Sequence, residues 1–108
     1  MASAVEGKAI KITEGNVKNN HIPIAHVADL FPADCFGGSR KAAAAAPIDV
    51  MLDGIGTFET DIAEDKKILR IRANGAVGEF YKRSHAKEGT RIFFEKIGPR
   101  LFRITAFN

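Results

Sequence analysis

The sequence has little with which to be cross-linked, anchored or exported. Its one cysteine, Cys35, has no partner for an internal disulfide, and one cysteine with three scattered histidines is not a zinc set. No run of about 18 apolar residues exists, which excludes a membrane-spanning helix. The N-terminus lacks the basic-then-apolar pattern of a secretory signal. A cytoplasmic protein with no metal, cofactor or membrane partner is the expectation. Acidic residues are scarce in one region: positions 66 to 108 hold three of them against eleven Lys and Arg, whereas positions 1 to 65 hold ten against five. The overall charge of +3 conceals a basic C-terminal part of net +8, and this asymmetry points to a phosphate-bearing partner.

What is present is core material and turns. With 45% apolar residues, eight Phe, ten Gly and four Pro in 108 residues, one domain built from many short elements is expected. Residues 1 to 7 read as a loose leader. Lys8 to Thr13 alternates polar and apolar, as a half-buried strand does. Ile22 and Ile24 flank Pro23, which lacks an N–H and suits an edge or strand end, and Ala25 to Phe31 has helical spacing that Pro32 stops. Pro32 to Pro47 reads as a long loop with a helical turn. Ile48 to Leu52 and Thr57 to Ile62 form a hairpin about Asp53-Gly54-Ile55-Gly56, and Lys67 to Arg72 is a strand turning Arg70 and Arg72 outward. Gly75 to Ala86, capped by Asn74, is a second helix, and Arg91 to Ile97 and Leu101 to Phe107 are two strands joined at Gly98-Pro99. No internal repeat or domain boundary interrupts residues 1 to 108. The sum is a mainly β chain, with seven short strands and two short helices in an open β-pseudobarrel, because closure protects edges that so small a sheet exposes.

One stretch carries the functional reading. Asn16 to His21 holds a cation, three amides and an imidazole, with Val17 as its one apolar side chain, and reads as a polar loop suited to phosphates and base edges. Taken with the strand before it and the Ile-Pro strand and Leu-Phe-Pro helix end after it, the chain resembles the B-three type of DNA-binding pseudobarrel. That family includes plant transcription-factor domains and the specificity domains of restriction endonucleases of the EcoRII kind. The matching pieces are Asn16 to Pro32, the hairpin Ile48 to Ile62, Lys67 to Arg72, the helix with Glu79-Phe80-Tyr81, and Lys87-Glu88-Gly89-Thr90-Arg91-Ile92. The Cys35-to-Lys41 insertion, and the lack of aromatics between Asp61 and Lys67, look more like the bacterial restriction branch than the plant domains.

The resemblance implies two arms straddling the major groove of double-stranded DNA. Carried onto this sequence, the first arm is Asn16, Lys18, Asn19, Asn20 and His21. The second is Asp61 to Lys67, with Asp61, Lys66 and Lys67, supported by Arg70 and Arg72 on the adjoining strand. Ser39, Arg40 and Lys41 supply further phosphate contacts. Asn amides bond adenine bidentately, and Arg or Lys reaches guanine acceptors. The implied role is a non-catalytic specificity or effector-DNA domain of a restriction endonuclease, whose nuclease domain or subunit is a further partner; a free-standing transcription regulator is the alternative. Three blander readings stand beside it. Asn and Lys in loops are ordinary turn formers and solvated charges. Asp49 or Asp53 followed by Glu64-Asp65-Lys66 fits the loose spacing of Mg²⁺-dependent nucleases. A protein- or oligosaccharide-binding barrel would show an aromatic-lined groove.

Overall fold

The computed structural model describes residues 6–37, 46–63, 68–69, 71 and 75–107. The period-2 stretches fold as their alternation dictates. A five-stranded sheet runs in the order β1 (Glu6–Lys11), β7 (Arg91–Gly98), β8 (Leu101–Phe107), β3 (Ile48–Leu52), β4 (Gly56–Thr60), with every neighbouring pair antiparallel except β3 with β8. One face is core: Ile48, Val50, Leu52, Ile92, Phe94, Phe102 and Ile104 are all buried on it. The β3–β4 hairpin turns where the sequence predicts, with Gly54 at φ +80, a conformation that glycine adopts without Cβ strain.

A second sheet is small: β2 (Phe36–Gly37) pairs parallel with β5 (Ile62–Ala63), which pairs antiparallel with β6 (Ile68–Leu69). The strand expected to run unbroken over Thr57 to Ile62 is therefore split between sheets. The break falls at Thr60 and Asp61, both buried, where the Thr60 hydroxyl donates to the Asp61 carbonyl at 3.0 Å. That bond satisfies a buried backbone acceptor at the corner and leaves Ile62 free to join the other sheet.

The helical spacing at Ala25 to Phe31 becomes a 3-10 segment, Ala25–Leu30, kinked at Val27. Its N-cap, Ile24, offers no side-chain acceptor, so nothing stabilises an α-helical first turn. Its burial is what holds it: Val27 and Leu30 enter the core, and Phe31 stacks against Phe102 at 4.5 Å and meets Phe94 edge-on at 6.2 Å. Lys8 Nζ lies 2.6 Å from Asp29 Oδ2, a contact that holds the Asp29 carboxyl below its ordinary value but, in open solvent, adds little stability. A second short 3-10 turn, Ala33–Cys35, follows. Ahead of both, the expected Ile22 to Ile24 strand reduces to a single bridge from Pro23 to Ile68, as expected of a residue with no N–H to continue a ladder.

The second predicted helix is present as α2 (Ala76–Arg83), shorter than its Gly75-to-Ala86 forecast and capped by Gly75 at φ +76. Asn74, the expected cap, lies outside the described residues. Ala76, Val77, Phe80 and Tyr81 form its buried face. The mainly β, unclosed arrangement of short strands and small helices read from the sequence is the one observed.

Candidate nucleic-acid interface

The first half of the predicted polar loop, Asn16 to Lys18, is helical. Residues Glu14–Lys18 form α1, with Thr13 as N-cap. The Thr13 hydroxyl accepts from the Asn16 N–H at 3.2 Å, and Asn16 Oδ1 accepts from the Thr13 N–H at 2.9 Å, a reciprocal capping box. At the other end Asn20 sits at φ +55; its N–H bonds the Val17 carbonyl and the His21 N–H bonds the Asn16 carbonyl, which is a Schellman closure. Asn19 Nδ2 donates to the Gly15 carbonyl at 2.9 Å. All three asparagines thus have folding roles. Five residues of helix need both caps, because so short a segment cannot offset its nucleation cost alone.

The arm is fastened at both ends. On the side leading in, Ile12 exchanges backbone bonds with the Gly89–Thr90 turn, each at 2.9 Å, and the Glu14 N–H donates to Glu88 Oε1 at 3.2 Å. On the side leading out, Tyr81 Oη donates to the His21 carbonyl. Burial raises the Tyr81 phenol above its ordinary value, so it remains a donor throughout the physiological range. The Leu69 N–H then bonds the Ile22 carbonyl at 3.2 Å, beside the Pro23–Ile68 bridge. Through these contacts the root of the first arm lies against β6, the strand that leaves the second predicted arm.

The predicted site residues separate into three groups. Lys18, Asn19, Asn20 and His21 are exposed on the first arm, and Asn16 is half-buried. Asp61 is buried at 8% exposure, so it belongs to the base of the second arm and not to an exposed tip; the bend that splits β4 from β5 turns it inward. Ser39, Arg40, Lys41, Lys66, Lys67, Arg70 and Arg72 lie outside the described residues, as do Glu64 and Asp65 of the nuclease-like spacing. Asp49 is exposed opposite Glu59 on the hairpin, and Asp53 lies in the turn.

Two basic residues take roles that the sequence did not reveal. Arg100 is a clamp: its guanidinium reaches Asp34 Oδ1 and the Ala46 and Pro47 carbonyls, each at 2.9 Å, and so ties Asp34 to the residues that lead into β3. Lys82 is exposed on α2 one turn beyond Gly78, and a Cβ placed on Gly78 would lie 3.3 to 3.5 Å from the Asn20 side-chain amide. Helical side chains lean back over the preceding turn, so Lys82 stands one turn from the place where α2 approaches Asn20. Between α1 and the turn that follows α2, a hollow of about 440 Å³ is lined by Glu14, Val17, Ala86, Lys87 and Glu88. Two carboxylates against the one cation, Lys87, in its lining make it a poor seat for phosphate. Cys35 is buried and its thiol is pushed up to about 11 by desolvation, so it is no nucleophile at neutral pH.

The solved structures contain a match to this arrangement. The chain is similar in fold to the N-terminal domain of Helicobacter pylori LlaJI.R1. The TM-score is 0.60 at 11% identity, over 95% of this chain and 88% of that one. No protein-family model and no curated protein matches the sequence. At 11% identity the likeness is one of backbone path, and the side chains of the arm have to be argued from their own chemistry.

Proposed function

We propose that this domain binds double-stranded DNA with sequence preference, through two arms entering the major groove, and performs no chemistry itself. The observation that carries the reading is the common root of the arms: the Ile22–Leu69 bond and the Pro23–Ile68 bridge start both from the same place. Lys18, His21 and Lys82 provide the cationic and imidazole groups at the first arm, and phosphate contacts of this kind set register and orientation. Base reading falls to Asn20 and His21, and to Lys66, Lys67, Arg70 and Arg72 on the second arm, while Asn16 and Asn19 chiefly shape the helix that presents them. Ser39, Arg40 and Lys41 add backbone contacts.

The fold likeness to the N-terminal domain of Helicobacter pylori LlaJI.R1 is compatible with a role as the specificity or effector-DNA part of a restriction endonuclease in a bacterial cytoplasm, with the nuclease in another segment or subunit. The test is a mobility shift on randomised duplexes at two salt concentrations, followed by sequencing of the retained fraction. A recovered motif with binding that weakens steeply in salt is the expected result. Recovery of no motif, or affinity indifferent to salt, would overturn it.

A further inference from the structure

The face of the five-stranded sheet turned away from the core carries two pairings that cost the isolated domain stability. Lys11 of β1 lies directly opposite Arg91 of β7, and Asp49 of β3 lies directly opposite Glu59 of β4. All four are exposed. Like charges directly across a ladder repel, and here one basic and one acidic pair occur on a single face. The same face bears Phe107 at 53% and Ile97 at 42% exposure, the two large apolar side chains most open to solvent among the described residues.

Their positions follow from the register. Lys11 and Arg91 share a row with Phe107, and Asp49 and Glu59 share a row with Leu101. From β1 to β4 is about 19 Å at about 4.8 Å per strand, and from Phe107 to Leu101 is about 20 Å at about 3.4 Å per residue. The basic and acidic pairs therefore occupy opposite corners of a near-square. A two-fold axis lying in this plane along the other diagonal brings the basic corner of one copy onto the acidic corner of the next, twice over. It also crosses the strands of the two copies at near right angles, one of the two usual sheet-on-sheet geometries. Phe107 then falls beside the hollow of about 560 Å³ lined by Met51, Ile55, Gly56, Thr57 and Arg103.

We propose that this face binds a second copy of the chain in that orientation. The interface goes beyond the DNA reading and rests on the outward residues of β1, β3, β4, β7 and β8. A square of this size buries about 800 Å² over both copies, below the roughly 1,200 to 2,000 Å² of stable complexes. The dimer is accordingly weak and concentration-dependent.

Sedimentation of the whole chain without DNA, from about 5 µM to about 500 µM, tests it. The mean mass is expected to rise toward that of two copies. Lys11→Glu and Glu59→Lys should each weaken association at least about fivefold by placing like charges across the axis, and the double variant should recover it. Phe107→Ser should weaken it while leaving the thermal unfolding curve in place, since that side chain is exposed. A monomer at every concentration, or a double variant that folds and does not recover association, would overturn the proposal. So would loss of duplex affinity in Lys11→Glu with association unchanged, which would assign the basic corner to DNA.

Discussion

On the side leading out, the arm is tied down by Tyr81, whose hydroxyl holds the His21 carbonyl. Tyr81→Phe keeps the ring in the core and removes that bond, so a loss of about 1 kcal/mol is expected, seen as a fall in Tm of about 4 to 8 °C for a domain this size. Alkaline stability separates this role from packing. Because burial raises the Tyr81 phenol, the unfolded chain loses this proton at a lower pH than the native one, and stability declines as pH rises past the ordinary phenol value of about 10. Tyr81→Phe lacks that contribution, so its alkaline limb should be flatter than that of the wild type in denaturant titrations. An equally steep limb would show that Tyr81 is not the buried donor described. At this scale the sequence revealed composition better than role: the three asparagines of the arm looked like base readers, and their amides and backbone turned out to build the caps of α1. Side-chain amides serve both purposes with the same atoms, and only geometry distinguishes them.

Among elements, the short helix α1 was missed and the long strands were found, for one physical reason. Alternation over six to eight residues, as in β1, β7 and β8, has no competing reading once the apolar face is continuous. A five-residue helix has no periodicity to display, and Gly15 and Asn16 lower its propensity, so its existence rests on Thr13 and Asn20 at its two ends. Thr13→Ala should therefore cost about 1 kcal/mol locally. Hydrogen exchange is the appropriate measurement: the amides of Val17, Asn19 and His21 should exchange faster while those of β7 and β8 keep their protection. Gly89→Ala complements it. Gly89 stands at φ +87 with nothing within 4 Å of an added Cβ, so the cost is the backbone penalty alone, about 1 to 2 kcal/mol, and it falls on the Ile12–Gly89 bond that fastens the arm. Unchanged exchange in α1 for both variants would mean the arm is held by something other than its caps and root.

For the molecule as a whole, the mainly β class, the hairpin and the final strand pair were legible because burial enforces register. The division into two sheets was not legible, since it turns on a corner at Thr60 and Asp61 where two polar residues are buried and bonded locally. That corner is also what brings β6 beside Ile22 and so roots the arms together. The proposed DNA reading assigns Lys18 of the first arm and Lys82 of α2 to the phosphates of one duplex. The most direct measurement is the dependence of duplex affinity on salt, by fluorescence anisotropy, for the wild type, Lys18→Ala, Lys82→Ala and the double variant. Each substitution is predicted to make the slope of log affinity against log salt shallower by about 0.9, and the double variant by about twice that. A slope identical to wild type in both single variants would contradict the account.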